Sequence, residues 1–281
     1  MPIEVFAMVL GAAFVHAAWN ALVKADGDRL SLIELMSGTQ LILSFCLIPL
    51  VSTPSPGSWP YLLMSALLST GYMLMLNRAY QSGDLSLVYP FARGVAPLIV
   101  GIISVAALGE ALTAANQMGV LLMGLGITSL ALSRRPTSAL ELHPIIFAIA
   151  TGVFIAAYTV VDGLGARMAG SAHAYMVWLS LVTSIATIVC TRWLQRGRHL
   201  PIGRRTRYAG VAAGVMSYGS AWVVIWALTR APFALVSALR ETGVVFAVLI
   251  GVVILRERLS LFRFVSVATT LIGTTVLKLG R

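Results

Sequence analysis

Ten apolar runs of about twenty residues, separated by short polar connectors, constrain this chain more than any other feature. They cover roughly 3–23, 30–51, 59–80, 85–107, 112–132, 144–161, 173–194, 208–229, 233–255 and 260–279. A helix needs about 20 largely apolar residues to cross the hydrocarbon core of a bilayer. Ten such helices use about 210 positions, so no extramembrane domain can be built from the remainder. Hydrophobic residues make up 58% of the 281-residue sequence and charged residues only 11%. A soluble domain carries about 25% charged residues. The predicted fold class is therefore an all-α membrane protein with ten transmembrane helices.

The net charge is +10, from 20 Lys and Arg against 10 Asp and Glu. Most basic residues fall in connectors, the pattern of orientation signals and headgroup contacts, so a nucleic-acid partner is not expected. Counting Lys and Arg outside the spans puts 14 on one side and 4 on the other. The richer side is expected to be cytoplasmic, with both termini outward in a cell inner membrane. Nothing basic precedes Ile3, so the first run is expected to be a retained helix and not a cleaved signal peptide. Cys46 and Cys190 lie within apolar runs and read as packing residues, not as a disulfide or metal site. No metal or cofactor is expected.

The sequence repeats. At an offset of 147, Leu85–Leu132 aligns with Pro232–Leu279: Arg93 falls on Arg240, Glu110 on Glu257, Leu112 on Leu259, Thr113 on Ser260 and Gly126 on Gly273. Ala18-Trp19-Asn20 matches Ala157-Tyr158-Thr159 at an offset of 139. The expected division is a first repeat over residues 1–138 and a second over 139–281. Five helices per repeat is odd, so the second copy enters the membrane from the opposite side. Inverted repeats are a device of secondary transporters, whose two similar halves alternate around one central site.

Gly83-Asp84-Leu85-Ser86-Leu87-Val88-Tyr89-Pro90, Arg93, Pro97 and the doubled turns Gly109-Glu110-Ala111-Leu112-Thr113 and Arg256-Glu257-Arg258-Leu259-Ser260 resemble the drug/metabolite transporter superfamily, in its ten-helix EamA-type branch. The resemblance runs nearly the full length. It implies a carrier of small metabolites and leaves the substrate open. The first helix is also similar to that of small multidrug transporters, with His16 where those carry a carboxylate eight residues before a lysine, here Lys24.

Ionisable groups within a bilayer are costly and are functional candidates by default. Arg93 and Arg240 occupy matching places in helices four and nine. Both are expected to face the central axis and to meet an anionic group. The structural alternative is internal pairing, Arg240 with Glu241 or another acid. His16 lies one turn from Asn20 and beside Trp19, and an imidazole suits proton coupling. Glu241 is a second candidate proton acceptor. Glu34 is expected to be a buried arginine partner or a surface residue, and Asp162 to lie near a helix end. Tyr218 and Trp222, four residues apart on helix eight, with Tyr158 and Tyr72, suggest an aromatic wall for an amino or cationic group. Packing is the alternative for each. Tyr89, from the motif above, completes the candidate substrate-binding set. Glu110 and Glu257 are expected to serve turns and caps, and Pro90 and Pro97 to kink or break helix four.

The expected function is a secondary transporter that moves a small polar metabolite by alternating access, with proton coupling allowed by the residues. An amino-acid-like zwitterion is the first substrate class. Phosphate- or phosphonate-bearing and drug-like solutes are the second. The expected partners are the small-molecule substrate, the lipid bilayer and protons, with the protein a monomer or homodimer. An intramembrane enzyme is the rival reading. No HExxH, P-loop or Gly-x-Ser-Gly nucleophile with a helical histidine supports it.

Overall fold

A computed structural model describes the backbone of residues 1–24, 29–82, 85–130, 142–195, 203–253 and 260–280, and the side chains of 1–23, 31–76, 90–130, 145–195, 203–253 and 260–280. The helices are α1 (Ile3–Lys24), α2 (Arg29–Leu47), α3 (Trp59–Ser82), α4 (Leu85–Ala106), α5 (Ala114–Ser129), α6 (Leu142–Met168), α7 (Ala172–Gln195), α8 (Arg204–Leu228), α9 (Phe233–Arg240), α10 (Gly243–Val253) and α11 (Leu261–Leu279). Eight spans among the described residues are long and apolar enough to cross a membrane, α9 and α10 together forming one of them. Helices α4 and α5 supply the remaining two passes. Large apolar side chains such as Leu67, Ile102, Val189, Val253 and Ile272 are exposed on the outside, where hydrocarbon would meet them.

Three passes differ from the sequence expectation. The sixth pass runs on to Met168, seven residues beyond Val161. Asp162, Gly163 and Gly165 look like a stop in sequence, but Asp162 is buried. A Cβ on either glycine would overlap the ring of Phe233 or Tyr175, so these glycines admit neighbours without ending the helix. The fourth pass is helical throughout despite Pro90 and Pro97. The interruption falls instead in its repeat mate, at Glu241 and Thr242, where no proline stands. There the bonds shorten: Glu241 N donates to Ala238 O at 3.0 Å and Val244 N to Glu241 O at 3.0 Å. This i→i−3 turn separates α9 from α10 and interrupts the helix inside the membrane.

Contacts at one end of the bundle establish the inversion. Lys278 lies over the Phe6 ring, joining the start of α1 to the end of α11. Ser55 N donates to Ala169 O at 3.3 Å, joining the α2–α3 connector to the end of α6. Helix α1 thus begins at this terminal face and its mate α6 ends there. Arg167, Arg230 and Lys278 belong to the same face. Glu34 and Arg192 pair at 2.8 Å at the opposite, basic face. That contact resolves Glu34 as a partly exposed ion pair between α2 and α7.

Helix packing obeys the exchange of halves. Helix α3 packs on α6 and α8 on α1; α3 packs on α7 and α8 on α2; α5 meets α11, α2 meets α7 and α4 meets α9. The α5–α11 contact shows it atom by atom. A Cβ on Gly119 would come within 3.0 Å of Gly273 O, and Ser266 Oγ donates to Gly126 O. The 147-residue offset carries Gly119 to Ser266 and Gly126 to Gly273, so each of these contacts maps onto the other. Small residues let the two helices touch backbone to backbone. Gly210 and Gly214 leave room on α8 for the side chains of Leu35 and Thr39 of α2. The 138/139 boundary expected between the repeats lies outside the described residues.

Candidate functional site

Helix α9 is the inner element. Residues Phe233–Leu239 are all buried, and the helix packs against α1, α4, α5, α6 and α8. It ends at mid-span on Arg240 and Glu241, opposite the middle of α4. The result is a charged cluster within the bundle. Arg93 Nε lies 3.1 Å from Glu241 Oε2, and Arg93 Nη1 donates to Oε1 at 3.2 Å. The two side chains are 5% and 1% exposed. Arg240 Nε stands 3.6 Å from Glu241 Oε1, and the Arg240 side chain is 14% exposed. One carboxylate therefore bridges two guanidinium groups.

Each arginine has a further partner on the first helix of its own repeat. Arg93 Nη2 is 2.5 Å from His16 Nε2 on α1. A guanidinium has no acceptor, so His16 must accept through Nε2 and carry its ring proton on Nδ1. Arg240 Nη2 donates to the Tyr158 hydroxyl on α6 at 2.8 Å. Around these, His16 and Trp19 meet edge to face at 4.8 Å, Asn20 Nδ2 donates to His16 O at 2.8 Å, and Tyr72 meets Tyr158 at 6.0 Å. The internal pairing weighed from sequence is present and joins both arginines. Among the described residues, two cations of the cluster share the carboxylate of Glu241.

Asp162 stands one turn beyond Tyr158 on α6. It is buried and accepts from the Tyr175 hydroxyl at 3.4 Å, and it forms no ion pair among the described residues. Its helix continues past it, so it is less peripheral than sequence suggests.

The structure thus brings together Arg93, Arg240, Glu241, His16 and Tyr158, with Trp19, Asn20 and Tyr72 beside them. Tyr218 and Trp222 form a second group. Their rings meet at 5.7 Å, and Trp222 Nε1 donates to His173 Nδ1 at 2.7 Å, tying α8 to the start of α7 near the terminal face. Tyr89 and Glu257 lie outside the described side chains.

Glu110 does act as a cap, though not for its own turn. Thr113 caps α5, accepting from Asn116 N. Glu110 reaches α9, where Oε2 accepts from Phe233 N at 2.8 Å, while Oε1 pairs with Arg167 at 2.9 Å. Arg167 also donates to Leu228 O at 3.0 Å and Ala231 O at 3.1 Å, and its guanidinium lies 3.9 Å over the Phe233 ring. This junction holds the start of α9 to the ends of α4, α6 and α8. The sequence reading did not single out Arg167. Its place at the end of a helix, in a region poor in other charges, is the signal that marks it. Gly109, at φ +62°, makes the turn that presents Glu110.

A polytopic bundle built as an inverted repeat, with buried charges where the halves meet, is an architecture that membrane transporters share. The chain belongs to the EamA-like transporter family, whose model matches residues 4–132 and again 142–279. It is accordingly a multi-pass membrane protein of a family that transports small solutes. No curated protein matches the sequence. Among 28 chains of solved structures that match, one crystal structure is 18% identical, covers 98% of both chains and superposes with a TM-score of 0.80. At that identity the likeness concerns the fold alone.

Proposed function

We propose that the protein is a secondary carrier of a small polar metabolite with an anionic group, an amino-acid-like zwitterion in the first instance, and that it works by alternating access. The observation behind this reading is the charge balance at mid-span: Arg93 and Arg240 share the carboxylate of Glu241. A substrate carboxylate would supply the missing negative charge and engage a guanidinium through paired hydrogen bonds. Arg240 is the better exposed of the two and is the first contact. The rings of Tyr72, Tyr158 and Trp19 offer negative faces to the substrate ammonium. A phosphate or phosphonate is the second class, because two guanidiniums flanking one site suit a doubly charged group.

Coupling to a proton fits the same geometry. A substrate anion that draws Arg93 away from His16 leaves Nε2 free to accept a proton. The imidazole then carries the charge that the substrate has neutralised. Glu241 is the alternative proton acceptor. We place the protein in an inner membrane with the basic face cytoplasmic and both termini outward, on the 14-to-4 count of basic residues.

The test is a thermal-stability screen of the purified protein against zwitterions, organic acids, phosphorylated solutes and organic cations. Ligands stabilise by mass action. We expect anion-bearing solutes to raise the melting temperature of the wild type clearly more than that of Arg240→Gln. Stabilisation confined to organic cations would overturn the reading.

A further inference from the structure

At the terminal face, away from the central cluster, a cavity of about 420 Å³ is lined by Arg167, Arg230, His173, Trp226, Thr229 and the chain turn at Gly170–Ala172. Its size is within the range of small-ligand sites. Two guanidiniums and an imidazole border it, and none of its lining residues is acidic. Arg230 is exposed and lies 5.9 Å over the Trp226 ring, without an ion pair among the described residues. The Arg167 bonds described above use Nε and Nη2 only, so its Nη1 hydrogens meet no protein acceptor among the described residues. His173 accepts from Trp222 through Nδ1, so its ring proton sits on Nε2, again a donor. The cavity therefore combines a surplus of donors and positive charge with an aromatic wall.

We propose that this cavity is a second binding site, distinct from the central cluster, for a carboxylate- or phosphate-bearing group. Arg167 belongs both to the cavity and to the junction with Glu110 that holds the start of α9. An anion on the Nη1 edge engages the same guanidinium that holds Glu110 through Nη2. Occupancy at the terminal face is thereby linked to the helix that carries Arg240. The occupant is a free solute or a lipid headgroup, which share this chemistry.

The test uses the full chain in phosphatidylcholine nanodiscs, titrated with inorganic phosphate and, separately, with chloride at matched ionic strength. The readout is the unfolding midpoint. Phosphate is expected to raise it saturably in the wild type. Arg230→Gln is expected to raise the concentration needed at least tenfold, with Arg230→Lys in between. The response is expected to persist in Arg240→Gln, so a failure of the central-site reading leaves this result untouched. If Arg240→Gln does not fold, the three chains that differ only at position 230 decide. Adding phosphatidylglycerol to the nanodiscs separates the sources. A headgroup occupant abolishes the phosphate response, whereas a free solute leaves it intact. An equal response to chloride, a response indifferent to Arg230→Gln, or one lost in a folded Arg240→Gln would overturn the proposal.

Discussion

Arg93 and Glu241 are 148 residues apart in sequence and belong to opposite repeats, yet their side chains form an ion pair at 3.1 Å inside the bundle. The offset that superposes the repeats carries Arg93 onto Arg240, and Gly94 onto Glu241. The basic residue is therefore duplicated and the acidic one is not. This local failure of symmetry produces the uneven charge of the cluster.

Removing the shared carboxylate breaks both ion pairs of the cluster inside the bundle. Loss of one partner of a buried pair costs about 3–5 kcal/mol. Glu241→Gln is expected to unfold at clearly lower temperature than the wild type. Adding Arg93→Gln is expected to recover part of the loss, since it removes one of the two like charges that Glu241 held together. A double-mutant cycle in detergent checks this, and additive losses would contradict the contact.

Tyr158 holds Arg240 through its hydroxyl. Tyr158→Phe removes that bond and keeps the ring. We expect a KM raised several-fold, in line with about 0.5–1.5 kcal/mol for one hydrogen bond, and a protein of near-normal stability. Tyr158→Ala removes the aromatic face as well and is expected to lose more. Transport kinetics in proteoliposomes read the difference, and equal effects of the two substitutions would count against a role for the hydroxyl.

At the terminal face, Glu110→Ala removes a cap of α9 and the partner of Arg167. A helix cap is worth roughly 1 kcal/mol. The expected outcome is a modest fall in stability with faster maleimide labelling of Ser104→Cys, which sits where Ala234 N donates to Ser104 Oγ. The labelling is done in a chain whose Cys46 and Cys190 are replaced by serine. Unchanged labelling would mean that Glu110 does not hold the α9 start.

The α5–α11 contact makes a contrast between glycines. Gly273→Leu forces a side chain against Met123 and Gly119 O and is expected to prevent stable folding. Gly38→Ala, with nothing within 4 Å of the new Cβ, is expected to be neutral or to stabilise α2 by up to about 1 kcal/mol. Melting temperatures compare them directly.

Much of this architecture is written locally in the sequence. The bilayer fixes helix length, and the doubled Arg and Glu positions disclose the repeat and name Arg93 and Arg240 before any coordinates. Other features depend on helices meeting, which local pattern does not encode. The turn at Glu241 carries no proline. The reach of Glu110 to Phe233 spans 123 residues. Gly163 and Gly165 look like breaks because the rings that pack against them come from α9 and α7. Tyr218 and Trp222 share a face of α8, but their distance from the arginines depends on how that helix is placed against α7.

Counterflow in proteoliposomes decides whether Arg240 carries solute exchange through the bundle. Vesicles loaded with unlabelled amino acid are given trace labelled solute, for the wild type and for Arg240→Gln. Transient, saturable accumulation of label is expected in the wild type, abolished by unlabelled competitor outside and lost in Arg240→Gln. Flux without stimulation by the internal solute, or accumulation undiminished in Arg240→Gln, would contradict that expectation.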